Sequence, residues 1–239
     1  MKKLFSLILT LALLAGLAST AKAIFPLATD NYRTTPAGRT GLEMGYSSYQ
    51  YASGEKRELR FTIKRGILGN LELGAELPAS LTTPSGLQDA TLSAKINLLQ
   101  FSRTEGLSLK FIDKLANGSA SQGTGTGYPN FGAGAILTKG LGLLTVHLNA
   151  GYMIVGVPQG APAANYSYYS LAMETILFGE QGELFTEISS DTSLPAPLNF
   201  QLGTRFWLGD FTQFIIGYGK GLSDSGYQSV LRVGFTTEI

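Results

Sequence analysis

Cysteine is absent from the 239 residues, histidine occurs once, and only 15% of positions carry a charge. Without a thiol there is no disulfide framework, no cysteine nucleophile and no thiolate zinc site. A single imidazole, His147, leaves nothing from which to build a histidine-rich metal site, so no metal and no cofactor is expected. The charged fraction falls well short of the ~25% usual in soluble domains. The formal net charge is +1 and no basic block occurs, so a nucleic-acid partner has no electrostatic support. Helices able to cross a membrane are also lacking in the body of the chain. Leu141 to Val157 carries no formal charge, but it is short for a span and contains Gly142, Gly151, Gly156, His147 and Asn149.

What is present begins with an export signal. Lys2 and Lys3 open the chain, Leu4 to Ala18 is uncharged and rich in Leu and Ala, and Ala21-Lys22-Ala23 has the small-x-small form read by signal peptidase. Cleavage after Ala23 leaves 216 residues and, by removing three lysines, takes the formal charge from +1 to −2. The predicted organisation is a signal peptide over residues 1–23, a non-alternating segment over 24–39, and one domain over 40–239. Residues 24–39 contain Pro26 and Pro36 and read either as a periplasmic lead-in or as a plug inside the domain, with the missing strand signal favouring the lead-in.

From residue 40 the period is two, which is the signature of strands. Glu58, Arg60, Thr62 and Lys64 oppose Leu59, Phe61 and Ile63; Leu71, Leu73, Ala75 and Leu77 oppose Glu72, Gly74 and Glu76. Leu42, Met44 and Tyr46 oppose Glu43, Gly45 and Ser47, while Ala90 to Leu98 alternates with Asp89, Thr91, Ser93, Lys95 and Asn97. The apolar face of these segments carries no charge. About twelve such segments follow one another, several of them about 9–11 residues long, the length that crosses a bilayer at a tilt. Connections alternate between short ones, such as Gly69-Asn70 and Gly209-Asp210, and long ones, such as Pro78 to Gln88 and Lys114 to Pro129. Tyr46, Tyr152 and Tyr169 fall near the long-loop ends and Phe206 and Phe211 flank a short turn, as two headgroup girdles require. Hydrocarbon also leaves no water for an open strand edge. The expected fold is therefore all-β: a transmembrane, antiparallel, up-and-down β-barrel of about twelve strands in the bacterial outer membrane.

A series of short motifs then follows a known order. Thr29-Asp30, Pro36, Gly38, Glu43-x-Gly45-Tyr46, Leu71-Glu72-Leu73-Gly74 and Leu77-Pro78 come first. Gly86-Leu87-x-Asp89-x-Thr91-Leu92, Ala94-Lys95, Tyr128-Pro129, Gly132-x-Gly134 and Asn149-x-Gly151-Tyr152 follow. Glu187, Asn199 to Gly203 with Arg205, and Gly217-x-Gly219-x-Gly221-Leu222 complete the series. In these the chain resembles the bacterial outer-membrane family named for the meta-pathway of phenol degradation. That resemblance implies a transporter-like barrel passing small, often aromatic or hydrophobic, molecules. Two departures are Asn31, where Arg is expected after Asp30, and Ile239, where such barrels usually end in Phe for the barrel-assembly machinery.

If the polar face lines a lumen, its charges are Glu43, Arg60, Lys64, Glu72, Glu76, Lys95, Lys110, Glu174, Glu187, Arg205, Arg232 and Glu238, in equal numbers of each sign, with the polar His147 beside them. Opposite signs on neighbouring strands predict cross-strand pairs. Arg60, Lys64, Glu72 and Lys95 are the expected constriction. Tyr166, Tyr168 and Tyr169 are expected at the outer mouth, as a stacking surface for a solute or as a girdle. Two functions fit this lining: a passive channel for small molecules, or a structural or surface-interaction barrel with a closed, ion-paired lumen. An enzyme has little to build on, since His147 turns inward with Thr145 and Asn149 rather than toward lipid. The expected partners are outer-membrane lipid, a small solute and the assembly machinery.

Overall fold

The computed structural model describes residues 27–162, 164–177, 181–193 and 195–239, so the expected signal peptide lies outside the described residues. Twelve long strands form the wall: β1 (Thr40–Tyr51), β2 (Gly54–Leu68), β3 (Leu71–Ser80), β5 (Thr91–Ser102), β6 (Glu105–Lys114), β7 (Asn130–Leu141), β8 (Leu144–Val155), β9 (Tyr166–Leu177), β10 (Gly182–Asp191), β11 (Leu198–Trp207), β12 (Thr212–Gly221) and β13 (Ser229–Glu238). A two-residue strand, β4 (Gly86–Leu87), pairs with the end of β3 in a loop. Neighbours in the wall pair antiparallel, and β1 pairs with both β2 and β13, which closes the sheet into a barrel. No strand edge of the wall is left for hydrocarbon to desolvate.

Parity sets which side chains meet lipid. Along β8, Leu148, Tyr152 and Ile154 are exposed, while His147 and Asn149 on either side of Leu148 are buried. Register carries the separation round the wall: Met44 stands opposite Phe61 and Phe235, and Glu43 opposite Thr62 and Thr236. Slipping one strand by a residue would turn a row of Leu and Phe into the lumen and a row of charges into lipid.

Most strand starts fall within two residues of the sequence expectation; β13 starts at Ser229 rather than near Ser225, and β2 is the other exception. It begins at Gly54, joined to β1 by Ala52-Ser53, so this outer connection is tight and breaks the short–long parity. The outward residues here are Ser48, Gln50, Glu55 and Arg57, with Ser48 Oγ donating to Glu55 at 2.7 Å and Arg57 paired to Glu55 at 2.6 Å. An outward face that is polar on both strands shows no hydrophobic alternation, which is why the sequence hides this hairpin.

The long β6–β7 loop is pinned by one carboxylate from the connection that leads into β5. Asp89 accepts from Gly118 N at 2.9 Å, Thr126 N at 2.7 Å and Thr126 Oγ1 at 2.9 Å. Burial alone would push its pKa up, but the backbone donors of Thr126 and Gly118 outweigh that and hold the carboxyl below its usual range. Asp89→Asn turns an amide N–H toward these donors. Faster protease cleavage within residues 115–129, with the barrel itself intact, is the expected result.

Residues 28–35 run inside the barrel rather than beneath it. Their backbone bonds to lumen-facing side chains instead of to a ladder, and the side chains of Tyr32, Arg33 and Thr34 reach turn carbonyls, so no period of two marks them. The segment leaves the lumen at the short-turn end, where Ala37 bridges Gly66 and Gly38 N donates to Gly66 O at 2.9 Å, before entering β1. Short turns and both ends of the wall share this side, which is the periplasmic face of an outer-membrane barrel.

Candidate functional site: an occupied lumen beneath an aromatic vestibule

Asp30 is the centre of the site. Its carboxylate lies 3.2 Å from Lys95 Nζ and 2.8 Å from Lys110 Nζ. Burial would raise the Asp30 carboxyl, but the ammonium groups of Lys110, Lys95 and Lys64 prevail and hold it well below the usual carboxylate range. Around it the segment is bonded residue by residue. Ala28 N and Thr29 N donate to Glu187 at 3.1 and 2.6 Å, Tyr32 N donates to Thr138 Oγ1 at 3.1 Å, and Tyr32 OH donates to Ser102 O at 2.9 Å. Thr35 donates to Glu72 Oε2 through both N and Oγ1, each at 2.7 Å. Tyr32 is only 1% exposed, and Gly106 gives its ring room, since a Cβ there would run into it.

The expected lining charges all face inward, but they fall into separate groups. Lys64 pairs with Glu43 at 2.5 Å and Lys95 with Glu72 at 3.5 Å, so three of the four expected constriction residues, Lys64, Glu72 and Lys95, gather round the segment. Arg60 stands nearer the outside, paired to Glu58 at 2.8 Å and Glu76 at 3.5 Å. On the far wall Arg205 is fully buried, 3.2 Å from Glu174 and 2.7 Å from Glu183, with its guanidinium 5.9 Å from the centre of the Phe185 ring. His147 completes that network, its Nδ1 2.8 Å from Thr138 Oγ1 and its Nε2 3.3 Å from Glu174. Arg232 lies over Tyr49, 5.7 Å from the ring centre, and donates to Gln201 Oε1.

Sequence reading missed Asp30, Tyr32, Thr35, Glu58 and Glu183 as site residues. Only Glu58 and Glu183 could have been found, by extending the parity of Arg60 and Glu187 two and four residues back along their strands. Parity also divides the three outer-mouth tyrosines. Tyr166 and Tyr168 face the lumen, whereas Tyr169 points outward and is 48% exposed, a girdle residue. The Tyr168 ring lies back against the β7–β8 wall, where Gly134 and Gly151 have no side chains to obstruct it.

Above the segment the lumen is open. A vestibule of about 510 Å³ is bounded by Arg60, Tyr166, Tyr168, Asp191, Tyr227 and Arg232. Tyr227 packs 5.6 Å from Tyr49, and burial pushes its phenol up to about 12. A chamber of about 230 Å³ continues down to Asp30.

No protein-family model matches the chain, and no curated protein matches it in sequence. Solved structures match it in fold. An outer-membrane channel from Pseudomonas putida F1 superposes with a TM-score of 0.69 and 15% identity over 89% of this chain and 100% of that one. The NanC porin gives 0.64 at 9% identity over 83% and 98%. The KdgM porin in complex with disordered oligogalacturonate gives 0.62 at 10% identity over 82% and 98%. A closed wall of twelve long strands, apolar outside and polar within, together with this likeness of fold, makes the chain a bacterial outer-membrane β-barrel.

Proposed function

We propose that the protein is an outer-membrane channel for small solutes whose periplasmic half is occupied by its own residues 27–35. The observation that carries this reading is the cavity above the segment. A closed structural barrel has no need of an aromatic, mixed-charge space of about 510 Å³ leading to a chamber of about 230 Å³. Tyr166, Tyr168 and Tyr227 offer ring faces and Met153 and Ile112 apolar contact, which supports small aromatic or hydrophobic solutes, as the resemblance to the phenol meta-pathway family implies. Neither sign of charge dominates the lining, so strong ion selectivity is not expected of the wide part. The apolar exterior supports outer-membrane lipid as the standing partner; the barrel-assembly machinery is the expected second partner, although Ile239 rather than Phe follows β13.

A second reading, a barrel whose lumen stays shut and serves structure or surface interaction, draws on the ion pairs of Asp30 and Arg205, which fill the lower lumen. Deleting residues 27–35 separates the two. In planar bilayers the channel reading expects large, discrete current steps from the deletion variant, and faster entry of phenol-like compounds into cells carrying it. A folded deletion variant, verified by heat-modifiable migration, that passes neither ions nor phenols would leave only the closed barrel.

A further inference from the structure

Three cavities lie end to end in the lumen. The vestibule shares Ala28, Arg60 and Ile112 with the chamber below it. That chamber shares Asp30, Glu43 and Lys64 with a slot of about 30 Å³. The slot runs between Arg33, Thr34 and Thr35 of the segment and Gly41, Thr236 and Glu238 of the wall. Its lower end is the periplasmic rim, where Thr34 Oγ1 donates to Gly69 O and Arg33 to Arg103 O in two short turns. Shared linings therefore place the three cavities in a row from the outer mouth toward the periplasmic rim, past the docked segment.

Buried polar groups mark this path as wet. Thr29 Oγ1 in the chamber and Thr236 Oγ1 in the slot have no hydrogen-bond partner, on residues 1% and 7% exposed. Gln213 stands directly opposite Thr236 on β12, is equally enclosed, and has both carboxamide atoms unpaired. Leaving such groups dry costs about 1–3 kcal/mol each, and native proteins satisfy them with protein atoms or ordered water. A space of about 30 Å³ is large enough to admit water. It is too small for an aromatic ring. The slot is lined by four carboxylates (Asp30, Glu43, Glu72, Glu238) and three cations (Arg33, Lys64, Lys95), so its balance leans negative.

The geometry points to a bypass: a water-filled, single-file path between the docked segment and the β13–β1 wall, gated by the Glu43–Lys64 pair, that passes small monovalent cations without any movement of the segment. It rests on the channel reading and adds that the docked state itself conducts. A cation crosses by taking the place of the Lys64 ammonium beside the Glu43 carboxylate. Anything the size of a sugar or an aromatic ring waits above.

Gly41 supplies the test. A Cβ built there meets nothing nearer than 3.9 Å, from Lys64 Cβ and Thr35 Oγ1, so the position has room for a side chain and Gly41→Val puts its methyl groups into the slot. Single-channel recording in a potassium chloride gradient is expected to give small, cation-selective steps from the intact protein and their loss in Gly41→Val. Thr236→Leu repeats the block from the opposite wall, in case the first variant folds poorly. Lys64→Met leaves Glu43 alone and should move the reversal potential further toward that of potassium. The variant lacking residues 27–35 keeps its large steps with or without Gly41→Val. An intact protein that is silent while the deletion variant conducts overturns the bypass and leaves the channel reading standing. Small steps that survive both blocking substitutions overturn it too, by placing the leak elsewhere. A silent, folded deletion variant removes the channel reading and the bypass together.

Discussion

Arg205→Met is expected to lower the stability of the barrel by about 3–5 kcal/mol, the usual cost of removing one partner from a buried ion pair. Arg205 is fully buried, and Nη1 is the atom that reaches both Glu174 and Glu183. Methionine fills much of the same volume but leaves two carboxylates facing each other in the lower lumen, with His147 as the nearest base. The loss comes from those stranded charges, not from a missing attraction. A triple variant, Arg205→Met with Glu174→Gln and Glu183→Gln, should therefore recover most of it. Urea unfolding in detergent, followed through Trp207 two residues away on β11 (the only tryptophan), reads both effects. Equal midpoints for Arg205→Met and the parent protein would mean that water or a rearranged lumen already screens the two glutamates.

The second large effect concerns Asp30. Alanine at this position removes two charge-assisted hydrogen bonds, from Lys95 and Lys110, each worth about 1.5–3 kcal/mol. A loss of 3 kcal/mol or more shifts the docking equilibrium by at least about a hundredfold, because each 1.4 kcal/mol is a factor of ten. Conductance of Asp30→Ala should accordingly approach that of the variant lacking residues 27–35. The same group fixes the response to pH. Its carboxyl is depressed in the docked state, so its contribution is complete above the undocked value of about 4 and is lost only as pH falls through the docked value beneath it. Between about pH 5 and pH 8 Asp30 stays ionised in both states, and docking through it should not change. Currents that rise steeply as the bath is taken from pH 7 to pH 5 would show that a group other than Asp30 governs the segment.

The wall was legible because lipid and lumen impose opposite demands on successive residues, and twelve segments obey them. The charge ladder was legible for the same reason: once β2 and β3 are placed, Lys64 and Glu72 must both face in. Residues 28–35 were not, because their order comes from side chains on strands far along the chain. Thr29 is 158 positions from Glu187 and Asp30 is 80 from Lys110, separations that no local period records. The grouping of the lining charges was hidden for a related reason. Parity tells which face a residue occupies, but its height in the barrel depends on the stagger of every strand between, which is how Arg60 came to stand in the vestibule and Lys95 at the segment.

That segment also bears on the order in which the molecule is assembled. The wall closes where β1 meets β13, joining residues near positions 41 and 238, the most distant pairing along the chain. Chain entropy makes such a pairing the last to be rewarded. The partners of residues 28–35 lie on β3, β5, β6, β7 and β10, all nearer in sequence than that closure. The lumen is thus expected to be furnished before the cylinder is shut, with the occupying segment a mandrel on which the sheet curls rather than a stopper pushed in afterwards.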